Sequence, residues 1–170
     1  EVAILEIFED QPSTYLMKLY QRDTFFQHRS SSKTNLDYSS IAGYDFLILN
    51  GLKNISSGLN KVLNQFLDAG GSISVIPGLT GNASFTNNNG VEFYSFADGL
   101  SQNSDVIRLD TRHPLMDRIF ESIPQNIDLP KVKKSYRLKS DHVFYKPLLS
   151  MSNQQAFLAE IQLAKGRIYV

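Results

Sequence analysis

The stretch from Tyr44 to Gly78 constrains the fold more than any other part of the chain. Tyr44-Asp45-Phe46-Leu47-Ile48-Leu49-Asn50-Gly51 reads as an apolar strand stopped at an Asn-Gly pair. Ser56 and Ser57 then offer helix N-caps. Leu59, Val62, Leu63, Phe66 and Leu67 make one apolar stripe at helical spacing. Gly70-Gly71 supplies a residue that tolerates positive φ where the helix must end. Ser72 to Ile76 is a second strand, stopped by Pro77-Gly78. Upstream, Val2 to Phe8 (VAILEIF) suits a strand buried on both faces. Ser13 is a plausible cap for a helix carrying Tyr15, Leu16, Leu19 and Tyr20. Phe25 and Phe26 mark a short strand, and the polar, Ser-rich run from Arg29 to Ser40 reads as loop. Strand and helix alternating over short connections imply right-handed crossovers and a parallel sheet with helices on both faces.

The second half changes character. Gly78 to Gly90 reads as loop, Val106 to Leu109 as a strand, and Pro114 with Leu115, Ile119 and Phe120 as a short helix. Residues 121–135 read as irregular, with Pro124 and Pro130. Ser135 to Leu138, Val143 to Ser152, Ala156 to Leu163 and Arg167 to Val170 are short strand patterns separated by turn signals. They predict an antiparallel extension whose last strand lies open at a sheet edge. No internal repeat or linker divides the chain, so residues 1–170 read as one domain.

The chain holds 17 basic and 17 acidic residues and no cysteine. Disulfide frameworks, thiolate metal sites and cysteine nucleophiles are thereby excluded. A net charge of zero argues against general nucleic-acid binding. No apolar run is long enough to span a membrane. The start at Glu1, without methionine, suggests a piece of a longer protein.

YDFLILNGLKNISSGLNKVLNQFLDAGGSISVIPG resembles class I glutamine amidotransferase-like domains. RHPLMDRIFESIPQNIDLPKVKKSYRL and LLSMSNQQAFLAEIQLAKGRIYV narrow the resemblance to the amidotransferase-like domain of large membrane-anchored bacterial proteins related to the Bat aerotolerance group. Those proteins begin with an aerotolerance-type double-transmembrane segment and often carry a von Willebrand A-like domain. The resemblance implies a flavodoxin-like, three-layer α/β sandwich with a central, mainly parallel sheet and an antiparallel C-terminal extension. It also implies a membrane-anchored parent, with the side of the membrane open and the periplasmic side preferred.

The family's catalytic chemistry does not carry over. Where an active amidotransferase has its Gly-x-Cys-x-Gly elbow, this chain reads Ile76-Pro77-Gly78-Leu79-Thr80. The family's His-Pro-Glu motif has only His113-Pro114-Leu115 as a counterpart, ahead of the tail strands. Catalytic residues are therefore expected to be none, and glutaminase activity absent.

Two candidate sites remain. Open α/β sheets bind ligands at the carboxyl edge of their strands. Here that edge should hold Glu9, Asp10, Asn50, Gly51, Pro77, Gly78, Leu79, Thr80 and His113, with ordinary strand-to-helix loops as the plainer reading. The second is a basic cluster, Lys131, Lys133, Lys134, Arg137 and Lys139, with Lys146 beyond it. It reads either as a solvated strand edge or as a docking face for an acidic partner or anionic headgroups. His28, His113 and His142 share no metal-ligand spacing, so neither metal nor cofactor is expected. The leading expectation is a non-catalytic interaction or ligand-sensing domain. Its partners would be other domains of the parent protein or an envelope protein, with no nucleic acid. The alternative is an enzyme with a non-cysteine mechanism in the same crevice, acting on a carbohydrate.

Overall fold

The computed structural model describes residues 1–78, 83–117, 127–163 and 165–170, with 97–102 described by backbone alone. Ten strands form one sheet in the order β2-β1-β3-β4-β10-β9-β8-β6-β5, with β7 paired to β6 off that path. β1 (Val2–Phe8), β2 (Phe26–Ser32), β3 (Phe46–Asn50) and β4 (Ser72–Ile76) are parallel to one another. β10 (Arg167–Tyr169) is parallel to β4 on one side and antiparallel to β9 (Ala156–Gln162) on the other. Beyond it β8 (Tyr145–Met151), β6 (Glu92–Leu109), β5 (Phe85–Thr86) and β7 (Lys131–Lys139) pair antiparallel.

One face of the sheet carries the core. Leu5, Ile7, Leu47, Leu49, Ile73 and Ile168 are buried there against Leu59, Leu63, Phe66 and Leu67 of helix α2 (Ser57–Asp68). Ser56 Oγ accepts the Leu59 N–H at 3.3 Å and caps that helix. Gly70, at φ +102°, ends it in a conformation that side chains resist. The ribbon of β5 and β6 adds buried Phe85, Phe93 and Tyr94 to the same core.

The other face has no comparable layer among the described residues. Helix α1 (Thr14–Tyr20) is seven residues long and buries none of them. Helix α3 (Pro114–Asp117) has four residues among those described. The expectation of a flavodoxin-like three-layer α/β sandwich is thus corrected: the molecule is a strand-rich mixed sheet with one substantial helix among the described residues. The reason lies in the second half of the chain. Residues 92–105, between the apolar runs, are too polar and mixed to read as a strand, yet they continue Val106–Leu109 backwards into the 18-residue β6. That strand finds partners on both edges, which fixes it where local pattern does not.

Four further expectations change. The Ser-rich run from Arg29 continues β2, because the neighbouring β1 supplies its backbone partners. A 3-10 helix, Tyr38–Gly43, occupies the end of the expected loop. β7 begins at Lys131, inside the stretch read as irregular, whereas Ile119 and Phe120 fall outside the described residues. The last strand is not open at an edge: β10 lies between β4 and β9, with Ile168 and Val170 buried.

Candidate binding crevice

The strand order gathers most of the expected edge residues. Glu9 and Asp10 follow β1, Asn50 and Gly51 end β3, and Pro77 and Gly78 follow β4. Gly51, at φ +65°, donates its N–H to the Ile76 carbonyl at 2.9 Å, and a Cβ on it would stand 3.8 Å from Gly78 Cα. The charges here engage each other. Lys33 Nζ donates to both Glu9 carboxylate oxygens, at 3.0 and 2.7 Å, and the Lys53 N–H reaches Oε2 at 3.0 Å. The Lys33 ammonium, ahead of the smaller opposing effect of burial, holds the Glu9 carboxyl below its ordinary range. Lys53 Nζ meets Asp10 Oδ1 at 3.2 Å. Leu79 and Thr80 lie outside the described residues.

His113 does not join this edge. Its Nδ1 accepts the Leu115 N–H at 3.3 Å, so the ring proton sits on Nε2, which donates to Glu160 Oε2 at 2.8 Å. Both residues are buried. Glu160 sits in mid-strand on β9, opposite Tyr169, whose phenol is pushed up to about 12 by burial first and by this carboxylate second. His113 therefore pins the turn before α3 to the sheet.

Sequence reasoning missed a second buried carboxylate. Glu6 is fully buried in β1. Its Oε1 accepts from the Ser13 N–H and from Asn50 Nδ2, both at 2.7 Å, and its Oε2 accepts from Ser30 Oγ at 2.8 Å. A single acid inside VAILEIF was the available signal. His28 Nε2 lies 3.5 Å from Glu6 Oε2, too long for a hydrogen bond, and has no partner among the described residues. Burial lowers the His28 pKa, against the smaller opposing pull of Glu6. A histidine held below its ordinary pKa of about 6.5 contributes stability above that value and loses it as pH falls toward the folded pKa. Replacing His28 with Phe, which keeps a ring beside Tyr20, should flatten the fall in melting temperature just below about pH 6.5. The loss from Glu9 begins lower, as pH falls through the ordinary carboxylate value of about 4.3 toward the folded pKa, and should persist in that variant. An unchanged slope on the histidine side would assign that loss to other groups.

A crevice of about 390 Å³ opens beside the end of β4, where the sheet changes from parallel to antiparallel pairing. Its floor is the end of β4 (Val75, Ile76, Pro77) with Val170, and its far wall is Phe157 and Leu158 of β9. Its roof is the β6–β7 ribbon, which contributes Phe96, Val132, Lys134, Ser135, Tyr136 and Leu138. The size and the mostly apolar lining are those of a binding site, at the position where open sheets take ligands. Ser135 Oγ, on the strand face shared with Lys133 and Arg137, is buried with no hydrogen-bond partner among the described residues. A larger depression, about 640 Å³, lies at the amino end of the strands, but its one charged residue, Asp45, is committed to the Ala3 N–H at 2.8 Å.

One residue of the expected edge, Pro77, and one of the basic cluster, Lys134, thus line the same crevice. Lys131, Lys133, Lys134, Arg137 and Lys139 all lie on β7 and are exposed. Among the described residues none of the five has an ion pair, whereas Lys33, Lys53 and Lys146 each hold a carboxylate within 3.2 Å. Lys146, on β8, is bound to Asp110 and belongs to a different neighbourhood. No three acidic or histidine side chains come close enough to hold a metal ion among the described residues. Within the same residues no helix is long and apolar enough to cross a membrane.

No family model and no curated protein matches the chain. Solved structures do. The mmIFT52 N-terminal domain superposes with a TM-score of 0.64 at 14% identity, over 99% of this chain and 84% of that one. The E323A catalytic mutant of Gan42B, a GH42 β-galactosidase from G. stearothermophilus, gives 0.60 at 11% identity, over 99% of this chain but only 27% of the enzyme. A GMP synthase subunit from Thermoplasma acidophilum gives 0.50 at 12% identity, over 99% of this chain and 82% of that one. The last likeness supports an amidotransferase-like chain path, and at these identities all three bear on fold alone.

Proposed function

We propose that the chain is a non-catalytic interaction domain whose partner docks at the crevice beside β7. The observation that carries this reading is the gathering of five exposed cations on one strand beside an apolar crevice. Glu6, Glu9, Asp10, Asp110 and Glu160 are each engaged by a donor or a cation, while the five cations of β7 meet no carboxylate among the described residues. Acids engaged in this way are poorly placed as general acids or bases. Unpaired cations beside an apolar crevice suit an acidic protein surface that brings its own apolar contacts. In this reading the chain is one domain of a longer protein of the aerotolerance-related kind its sequence resembles. Segments outside the chain hold that protein at a membrane, and the docking partner is another of its domains or an envelope protein.

The test is to reverse Lys133, Lys134 and Arg137 to glutamate and measure binding to the remainder of the parent protein. Affinity should fall by about tenfold or more, and its salt dependence should shrink, as expected when steering charges are inverted across a Debye length of about 8 Å. Unchanged affinity and unchanged salt dependence would leave β7 a solvated edge.

A further inference from the structure

We infer that the partner engages this domain through an extended segment in which acidic and apolar residues alternate, added as a strand to the edge of β7 away from β6. The inference rests on the docking role proposed above and specifies its chemistry. β7 pairs with β6 on one edge, and no other described strand pairs with its second edge. Side chains alternate along a strand. Val132, Lys134, Tyr136 and Leu138 form one phase, and all four line the crevice. Lys131, Lys133, Arg137 and Lys139 form the other phase, and all four are exposed.

A strand laid along that edge continues both rows. Its alternate residues fall beside the four cations on one face and over the apolar crevice on the other. Cross-strand neighbours of opposite charge attract, and apolar neighbours bury surface together. The fitting sequence is therefore acidic at every second position and apolar between. Ser135 shares the phase of the cations at the middle of β7, and its hydroxyl is buried with no partner among the described residues. A small polar residue belongs opposite it.

Lysines on an edge strand also serve to keep other strands away. The two roles make different predictions for an acidic partner, because a row that repels neutral or basic strands attracts an acidic one.

The probe is a capped nonapeptide, Glu-Val-Glu-Val-Thr-Val-Glu-Val-Glu, whose symmetry makes it indifferent to strand direction. A control peptide of identical composition gathers the glutamates at one end. The whole chain should bind the alternating peptide at least about fivefold more tightly than the control, and the amides of β7 should exchange more slowly in the complex. Cross-strand charge pairs are each worth a factor of about 1.4 to 5, and reversing a charge turns that attraction into repulsion. Reversing Lys133, Arg137 and Lys139 to glutamate should accordingly weaken binding by about tenfold or more, with circular dichroism confirming the fold of the variant. The two-peptide comparison uses the unaltered chain and needs no variant. Equal affinity for both peptides, or unprotected β7 amides, would reduce the edge to plain charge attraction and overturn strand addition. If neither peptide binds while the remainder of the parent protein does, the segment is wrong and the docking role stands. If nothing binds, both fall.

Discussion

Glu6→Ala should lower the unfolding free energy by about 3–5 kcal/mol, the range for removing one member of a buried polar network. The truncation leaves the Ser13 N–H and the Asn50 amide facing a void, and takes away the acceptor of the Ser30 hydroxyl. Each buried donor left without a partner costs about 1–3 kcal/mol. The same three donors tie together the start of α1, the end of β3 and the edge strand β2, so the loss falls on the parallel half of the sheet. Glu6→Gln keeps the volume and an oxygen for the Ser13 N–H and the Asn50 amide, and turns its NH2 to Ser30 Oγ, which can accept, so it should cost less, about 1–2 kcal/mol, for hydrogen bonds no longer made to a charged acceptor. Urea titration of both variants checks the ranking. A Glu6→Ala cost under about 1 kcal/mol would mean that water replaces the carboxylate freely, against its complete burial.

Gly166→Ala should be comparably damaging, about 3 kcal/mol or more, for a different reason. A Cβ on Gly166 would lie 2.5 Å from the Leu67 carbonyl oxygen, 2.9 Å from that of Gly71 and 2.9 Å from Leu67 Cα. All three are backbone atoms of the α2 terminus and the turn that follows, so no rotamer change relieves the contact. The atoms nearest a Cβ on Gly71 belong to the buried Phe66 ring, a side chain rather than backbone, so Gly71→Ala should cost less than Gly166→Ala. Gly43→Ala meets nothing within 4 Å and should stay within about 0.5 kcal/mol of the parent chain. Thermal melts of the three alanine variants should fall in that order. A benign Gly166→Ala would show that the turn before β10 can lift away from α2.

The parallel half of the sheet is legible in the sequence because its signals are local. The apolar stripe of α2, its serine cap, the Gly-Gly stop and the strands on either side each announce themselves within a dozen residues. β6 and β7 do not. Glu92–Leu109 mixes serines, asparagine and aspartates with scattered apolar residues, and what makes it a strand is pairing with residues 131–139 and 149–151. That information is long-range and has no periodic trace. The same gap hides the joining of the two candidate sites. Nothing in the sequence places Pro77, of one candidate site, in the same crevice as Lys134, of the other. His113 reads as a carboxyl-edge residue because it follows the strand pattern Val106 to Leu109 so closely. Its true partner, Glu160, is 47 residues away.

The position of β10 has a kinetic consequence. This three-residue strand, Arg167–Tyr169, joins the four parallel strands to the antiparallel ones, and its partner Ser72 precedes it by some 95 residues. Loop closure over such a span is slow, and non-local pairing of this kind is what lengthens folding times. As the chain emerges during synthesis, β1 to β4 and α2 can assemble early, yet β4 keeps an unsatisfied edge until Arg167 arrives. Ser72 to Ile76 is then the segment most open to pairing with another nascent copy, and the interval before the last strand inserts is when misassembly competes with folding.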